Sequence, residues 1–232
     1  MPVNPVLHYF PRGLDAFIDI KVALPDYQIE TFFDVGANIG QSAIDYTSMF
    51  PSARIFSFEP VEETYRQLLD NTRKNKQVHC FKMALSSYQG EGKILAEGIS
   101  LANHLIEETE GISGNGETPV EDVNISTLDE FCESKQIENI SYLKVDTEGE
   151  DLNVLRGSSN MLTGQQIDFV ELEAGMHPYN SHHVSFNNLK DYMEQYDYLL
   201  FGIYVQTKEF YNKKSHLRRT NPLFISRNLV EA

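Results

Sequence analysis

The run DVGANIG at residues 34–40 constrains the fold more than any other part of the sequence. It follows an apolar stretch, Thr31–Val35, that is typical of a buried β-strand, and it precedes apolar residues at helical spacing. Gly36 lets the backbone turn tightly and lets a ligand approach it, and Gly40 permits close packing of strand against helix. This order of strand, glycine loop and helix predicts the ligand-binding edge of an open α/β sheet.

Short β-rich runs alternate with segments of helical periodicity along most of the chain. The alternation predicts a single Rossmann-like, doubly wound α/β domain whose mostly parallel sheet has seven strands. The connection before the last strand is too short for a helical crossover, so we expect an antiparallel pair at one edge. The seven strands are predicted at 31–35, 54–58, 78–83, 140–145, 167–172, 198–205 and 222–226, with a further run of strand character at 120–125 and a small hairpin near 93–96. Helices are predicted at 39–50, 61–72, 128–135, 150–161 and 186–196.

No repeat or linker divides the chain, so we expect residues 1–30 to be a helical or irregular extension of one domain at 31–232. The net charge of −15 argues against nucleic acid and anionic membrane surfaces as partners. No apolar run is long enough to span a bilayer and the start lacks a signal-peptide pattern, which predicts a cytoplasmic protein. Cys80 and Cys132 are too few and too far apart for a disulfide framework and are expected to be free thiols.

The acidic residues around the glycine loop indicate the charge of its ligand. The loop has the spacing G-x-x-x-G, and Asn38 stands where a dinucleotide fingerprint has its second glycine. Asp34 would also repel a pyrophosphate, so a cationic or zwitterionic ligand fits better. Glu59 ends the second predicted strand, where a carboxylate accepts both hydroxyls of an adenosine ribose. The alternative is that Asp34 caps a helix and Glu59 faces water.

The third predicted strand leads to Ala84-Leu85-Ser86, where an adenine ring would lie. Backbone groups and the Ser86 hydroxyl are suited to bind its edge, and Leu85 is suited to pack on its face. A plain strand-to-turn role is nearly as well supported by the residues alone.

Taken together, these pieces resemble the FkbM-type methyltransferase family of the class I S-adenosylmethionine-dependent enzymes. The matching segments occur in the family's order from about Thr31 to Ser226. They are FDVGANIG (33–40), FEP (58–60), ALS (84–86), STLDEF (126–131), YLKVDTEGED (142–151), VLRG (154–157), FVELE (169–173) and NPLFIS (221–226).

The resemblance implies a seven-stranded Rossmann-like sheet and methyl transfer from S-adenosylmethionine, typically to a hydroxyl of a sugar or natural product. It implies that the glycine loop holds the amino-acid end of the donor and that Glu59 holds its ribose. The predicted cofactor-binding residues are Asp34, Gly36, Ala37, Asn38, Gly40, Glu59, Pro60, Ala84, Leu85, Ser86 and Asp146.

Methyl transfer to an alcohol needs a group that takes the hydroxyl proton. Asp146 is the first candidate, because it follows an apolar strand interrupted only by Lys144 and should lie beside the glycine loop. Glu148 is a second candidate, although a carboxylate in the first turn of a helix is an equally good interpretation. For Asp146 the alternative is a helix cap. His177 is a third candidate, because histidine titrates near neutrality.

Further polar residues beyond the fifth predicted strand are candidates for binding substrate. Glu171 and Glu173 should share one face of that strand, where they are suited to bind substrate hydroxyls or, with Asp146, a divalent cation. Dedicated ligand spacing is lacking, so no metal is predicted. The predicted substrate-binding residues are His104, Glu148, Glu171, Glu173 and His182. For these histidines and the adjacent His183, exposure to solvent is the alternative. The basic cluster Lys213, Lys214, His216, Arg218 and Arg219 is interpreted as a solvated edge, and contact with an anionic part of the substrate is the alternative.

The sequence therefore predicts an S-adenosylmethionine-dependent O-methyltransferase acting on a small-molecule or glycan hydroxyl. One alternative is a nicotinamide-dependent oxidoreductase, which would need a second domain for its substrate. Another is a non-catalytic module that keeps the fold and docks a protein partner. The sequence gives no prediction of oligomeric state.

Overall fold

The computed structural model describes residues 12–95, 120–211 and 213–231. Its helices are α1 Ala16–Ala23, α2 Gln41–Met49, α3 Glu62–Thr72, α4 Leu128–Lys135, α5 Asp151–Arg156, α6 Ser159–Thr163, α7 Phe186–Glu194 and α8 Arg227–Glu231. Its strands are β1 Thr31–Val35, β2 Arg54–Phe58, β3 Val78–Phe81, β4 Ala84–Leu85, β5 Gly90–Leu95, β6 Val120–Ser126, β7 Ile140–Val145, β8 Ile167–Leu172, β9 Ala174–Gly175, β10 Leu199–Tyr211 and β11 Lys214–Ile225.

The main sheet has the order β10-β11-β8-β7-β1-β2-β3. The five strands from β8 to β3 are parallel, while β11 is antiparallel to both β8 and β10. The predicted fold class is therefore confirmed, including the antiparallel pair at one edge. The short strand β9 pairs with β11 and makes this an eight-stranded sheet, one strand more than predicted.

The central strands form because continuous apolar runs are buried on both faces of the sheet. Every residue of β1 and β7 is buried. Phe33 and Leu143 pack into one core with α4 to α7, and Phe32 and Tyr142 pack into the other core with α1 and α2. The charged residues that interrupt these runs, Asp34 and Lys144, are consequently held in fixed positions inside the sheet.

The region after β2 differs from the prediction. The third strand ends at Phe81, and Ala84–Leu85 forms β4 in a second sheet of order β4-β6-β5. The predicted hairpin near 93–96 is part of β5, which pairs antiparallel with β6. The small sheet thus supports the Ala84–Leu85 segment beside the main sheet.

The predicted helix 150–161 is divided into α5 and α6. Gly157 lies at the break, where an added Cβ would overlap the backbone oxygen of Ser86 and lie 3.0 Å from its carbonyl carbon. Only glycine therefore permits the close approach of the two backbones at this break. The strands β10 and β11 are also longer than predicted, since their ladder continues to Tyr211 and Lys214.

The extension predicted at residues 1–30 contains α1, which packs on the sheet rather than standing apart. The Phe17 ring lies 5.0 Å from the rings of both Phe50 and Tyr142. Asp19 of α1 accepts a hydrogen bond from the Tyr204 hydroxyl at 3.0 Å. The division of the chain at residue 30 stays a prediction. None of the helices within the described ranges is long and apolar enough to cross a membrane.

Candidate functional site

Two adjoining cavities open at the carboxyl ends of the central strands. The first has a volume of about 270 Å³ and lies at the ends of β1, β2 and β7, with β4 on one side. Ligands of open α/β sheets bind along this edge. Eight of the predicted cofactor-binding residues line it: Gly36, Ala37, Asn38, Glu59, Pro60, Ala84, Leu85 and Asp146.

The glycine loop is shaped by contacts with two neighbouring strands. Gly36 has a φ of 83°, a conformation that favours glycine. A Cβ at this position would overlap the backbone oxygen of Asp146 and lie 2.8 Å from its carbonyl carbon. The N–H groups of Gly36 and Ala37 both donate to the Phe58 carbonyl, at 3.1 and 2.9 Å. Gly36 is thus required where the loop passes between the ends of β2 and β7.

Glu59 follows β2 and is held by three hydrogen bonds. Its Oε2 accepts from the Asn38 N–H at 3.1 Å. Its Oε1 accepts from the Val61 N–H at 3.0 Å and from the Thr64 hydroxyl at 3.1 Å. Burial raises the pKa of Glu59, and the three hydrogen bonds oppose that rise. Glu59 is buried rather than facing water, and it ties the glycine loop to the start of α3 while lining the cavity.

One wall of the first cavity is apolar. Phe58, Met83, Leu85 and Ile94 line it. Leu85 lies on β4 and Ile94 on β5, so the small sheet supplies half of this wall. A flat apolar ring is the kind of ligand group that such a wall accommodates.

Three residues predicted to bind the cofactor lie outside the cavity lining. The Asp34 side chain is fully buried. A Cβ on Gly40 would lie 2.8 Å from Leu68 of α3, so this glycine serves helix packing. Ser86 is also buried, and its N–H donates to the Ser126 carbonyl at 2.9 Å. These three residues therefore pack against the residues that line the cavity and do not line it themselves.

Lys144 on β7 links Asp34 to Asp146. Its Nζ donates to Asp146 Oδ2 at 3.0 Å and lies 3.7 Å from Asp34 Oδ1. Burial alone would lower the pKa of Lys144, but the charges of Asp146 and Asp34 outweigh it and raise that pKa. Lys144 is therefore a fixed cation below the site. The sequence offered one signal for it, a single charged residue within an apolar strand.

The second cavity has a volume of about 360 Å³ and lies between α1, α2 and the strands β7, β8, β10 and β11. It shares Ser42, Lys144 and Asp146 with the first cavity. Its polar wall is formed by Glu171, Glu173, Arg219 and Asn221. Asp146 therefore stands where the two cavities meet.

The polar wall of the second cavity is internally connected. Glu171 accepts hydrogen bonds from the Tyr142 hydroxyl and from Asn221 Nδ2, the latter at 2.7 Å. Glu173 forms an ion pair with Arg219. Arg219 belongs to the basic cluster interpreted from sequence as a solvated edge, and for this residue the interpretation was wrong because β11 directs it towards Glu173.

Glu148 lines the first cavity two residues after Asp146. It has a φ of 51° and precedes Glu150, the N-cap of α5, so it is not a first-turn residue of that helix. Burial raises the pKa of Glu148, and the charge of Asp146 adds to the rise. Asp146 itself bonds to Lys144 rather than capping the helix.

Two of the predicted histidines, His177 and His182, are absent from the lining of both cavities. The Nε2 atom of His177 lies 2.7 Å from Glu209 Oε1. The backbone next to His177 is fixed because the Met176 N–H donates a hydrogen bond to the Arg218 carbonyl. His182 is exposed. His104 falls outside the described residues. The structure instead buries His183, with its Nε2 2.7 Å from Glu173 Oε2.

Asp34 makes the stability of the fold depend on pH. Burial, opposed by Lys144, raises its pKa from 3.8 to about 6, and neither carboxylate oxygen has a hydrogen-bond partner among the described residues. The folded state therefore holds a proton that the unfolded state has lost between those pH values, so this group's contribution to stability falls as pH rises through that window. We expect Asp34→Asn to gain stability relative to wild type as pH rises from 4 to about 6, by at most about 1.4 kcal/mol per pH unit. Urea unfolding of both proteins across that pH range measures this difference in the free energy of unfolding. A difference that stays the same at every pH would contradict the prediction.

Comparison with known proteins identifies the family. The model of the methyltransferase FkbM domain matches residues 34–200. Hexuronic acid methyltransferase AglP of Haloferax volcanii is 31% identical over 152 residues, which cover 64% of this chain and 58% of that protein. The 2-O-methyltransferase NoeI of Sinorhizobium fredii is 23% identical over 163 residues, which cover 65% of this chain and 66% of that protein.

A solved structure agrees with the fold. The crystal structure of methyltransferase FkbM from Methylobacillus flagellatus KT has a TM-score of 0.55 and 14% identity, covering 88% of this chain and 45% of that one. The chain thus spans less than two thirds of the length of each of these relatives. The resemblance read from the motifs is confirmed, and because the family model matches more than half of the sequence, the chain belongs to the FkbM methyltransferase domain family.

Proposed function

We propose that this protein is an S-adenosylmethionine-dependent O-methyltransferase that acts on a hydroxyl group of a sugar. The observation that carries the proposal is the meeting of two cavities at Asp146. A donor in the first cavity and an acceptor in the second would have their reacting atoms side by side at that residue. Methyl transfer requires this placement, because the acceptor oxygen must approach the methyl group in line with its leaving group.

The first cavity suits the donor. S-adenosylmethionine supplies an electrophilic methyl group. Glu59 lines this cavity, and its Oε2, which accepts one hydrogen bond within the protein, would accept a ribose hydroxyl. The apolar wall that includes Leu85 and Ile94 is suited to the adenine ring. The backbone at residues 36–38 is suited to the amino-acid end. These groups fit an adenosyl ligand in their chemistry.

The charges around this cavity favour the methyl donor over a dinucleotide. Asp146, Glu148 and Glu150 all line it, and Lys144, the cation in the lining, is paired with Asp146. Carboxylates repel a pyrophosphate and attract a sulfonium cation. The nicotinamide-dependent alternative lacks this complementarity.

The second cavity suits a sugar. Glu171 and Asn221 offer hydrogen-bond acceptors and a donor for hydroxyl groups. Arg219 pairs with Glu173 through Nη1 and has further N–H donors for a carboxylate. A relative that is named a hexuronic acid methyltransferase and another named a 2-O-methyltransferase support a sugar hydroxyl as the target. A uronic acid uses both the hydroxyl-binding wall and Arg219.

Asp146 is the residue we expect to take the proton from the acceptor hydroxyl. It lines both cavities and its Oδ2 is hydrogen-bonded to Lys144, which fixes the carboxylate. Its other oxygen remains for the acceptor. Lys144 acts as a positioning residue through this bond.

Donor binding tests the proposal directly. We expect wild type to bind S-adenosylmethionine in calorimetry, and Glu59→Gln to bind it about 10-fold or more weakly, because a hydrogen bond to a charged group contributes about 1.5–3 kcal/mol. Glu63→Gln, an exposed change on α3, is the matched control and should bind like wild type. NAD⁺ titrated under the same conditions should not bind. Absence of donor binding, or equal affinity in wild type and Glu59→Gln, would refute the assignment.

Acceptor turnover separates an enzyme from a non-catalytic module. Methyl glycosides of glucuronic acid and of glucose, each supplied with S-adenosylmethionine, are assayed for release of S-adenosylhomocysteine. We expect turnover with at least one of them. Tight binding of the donor without methylation of any sugar in such a panel would favour the alternative of a non-catalytic module that docks a protein partner.

A further inference from the structure

Glu148, Glu173 and His183 form a cluster beside Asp146 that neither the family match nor the proposed reaction explains. His183 Nε2 lies 2.7 Å from Glu173 Oε2 and 3.7 Å from Glu148 Oε2. Each residue offers one ligand atom, and these atoms all lie within 4.8 Å of one another. The side chains of His183 and Glu173 are both only 3% exposed. Three potential ligands thus converge on one point at the end of β8.

The hydrogen bonds of Asn180 determine the tautomer of His183. Asn180 Nδ2 donates to the Arg218 carbonyl at 3.1 Å, and its Oδ1 accepts from the His182 N–H at 3.1 Å. The amide orientation is therefore fixed, with Oδ1 2.9 Å from His183 Nδ1. His183 Nδ1 must carry a hydrogen to make this bond. In the neutral ring, Nε2 then presents a lone pair towards Glu173.

Two buried atoms face each other without a hydrogen bond. His183 Nε2 and Glu173 Oε2 both lack a hydrogen-bond partner within the part of the chain that the structure describes. A lone pair pointing at a carboxylate oxygen is repulsive, and burying such atoms unpaired costs stability. A bound cation between them would satisfy both. Arg219 occupies the other oxygen of Glu173 and leaves Oε2 for this role.

We infer that Glu148, Glu173 and His183 bind a divalent metal ion of the Mn²⁺ or Zn²⁺ type. Metal–ligand distances of roughly 2.0–2.2 Å place neighbouring ligand atoms roughly 3.0–3.5 Å apart. The separations of 2.7 and 3.7 Å bracket that range. The imidazole ligand favours a transition ion over Mg²⁺ or Ca²⁺, which prefer oxygen ligands alone. The hydrogen bond that the other ring nitrogen donates to Asn180 Oδ1 is the kind that orients a metal-binding histidine.

The site would place a cation at the edge of the acceptor cavity. Glu173 lines the second cavity and Glu148 lines the first. A metal there would polarise an acceptor hydroxyl and ease loss of its proton to Asp146. This use of the metal rests on the proposed function, but metal binding itself does not.

A second cluster, His177, Glu209 and His216, serves as the internal comparison. Both histidine Nε2 atoms contact Glu209 Oε1, at 2.7 and 2.8 Å, and Arg218 Nε lies 3.7 Å from the other carboxylate oxygen. The carboxylate there is already shared between hydrogen-bonding partners. It also lines neither cavity. We expect it to bind metal more weakly.

Calorimetric titration of the full chain with MnCl₂, after removal of metals with a chelator and without methyl donor, tests the inference. We expect one ion per chain in wild type. Glu173→Gln, His183→Gln and Glu148→Gln should each weaken binding by at least about 10-fold. His216→Gln and His79→Gln, which remove histidines elsewhere, should bind like wild type. Circular dichroism establishes that each variant is folded, and Glu148→Gln changes the least buried of the three ligands.

Two results would overturn the site. One is an absence of Mn²⁺ and Zn²⁺ binding by wild type. The other is loss of binding in His216→Gln but not in His183→Gln. Donor binding is measured in metal-free protein, so an absence of metal binding would leave the methyltransferase proposal standing. Metal binding is measured without the methyl donor, so an absence of donor binding would leave the metal site standing.

Discussion

Asp146→Asn is expected to lower kcat for methyl transfer by about 10²- to 10⁴-fold, the range typical of losing a general base. Asparagine keeps the shape of the side chain and a hydrogen bond to Lys144, but its amide cannot take the acceptor's proton. The measurement is S-adenosylhomocysteine release with the glycoside that wild type methylates fastest. Donor affinity, measured by calorimetry in the same variant, should change much less than kcat.

The matched control is Asp45→Asn, which removes a carboxylate from an exposed position on α2. It should turn over like wild type. If Asp146→Asn kept a kcat comparable with that control, proton removal by Asp146 would be wrong and Glu148, two residues later in the same cavity, would be the next residue to test.

The sheet was predictable because its central strands are apolar on both faces. A run such as Ile140–Val145 has few alternatives to a buried strand, and the order of such runs determines the order of βαβ units. The break in the helix at Gly157 was not predictable. The backbone that passes close to this break is that of Ser86, which is distant in sequence and follows β4.

The lining of the candidate site was predictable where one segment supplies both backbone and side-chain groups to the cavity. The glycine loop and Glu59 are examples, because the strand ends place them at one edge. The direction in which a side chain points was harder to predict from the sequence. Asp34 lies within β1, whose pleat turns its carboxylate into the protein towards Lys144 rather than into the cavity.

Long-range pairings explain the residues that sequence analysis missed. The pairing of His183 and Glu173 depends on how the loop after β9 folds back, and that loop is tied to β11 through Asn180 and Arg218. The role of Arg219 likewise depends on the antiparallel pairing of β11 with β9. Nothing in the local sequence indicates these partners.

Gly36→Ala is expected to lower the free energy of unfolding by about 2–5 kcal/mol. A residue with a Cβ costs roughly 1–2 kcal/mol in the left-handed conformation that Gly36 adopts, with its φ of 83°. The added methyl group would also overlap the backbone carbonyl of Asp146, and overpacking of this kind costs roughly 1–3 kcal/mol. Urea unfolding gives the change from the midpoint, provided that the slope is unchanged.

Gly13→Ala separates the two causes. Gly13 has the same φ of 83°, but a Cβ there would meet no heavy atom within 4 Å. The control should therefore lose only the conformational part, roughly 1–2 kcal/mol. Because the clash at Gly36 is with Asp146 itself, Gly36→Ala should also lose methyl transfer even in the fraction that stays folded, whereas Gly13→Ala should keep it. Equal losses of stability in the two variants would mean that the loop relaxes around the methyl group, and that Gly36 is required for its conformation and not for its contact with β7.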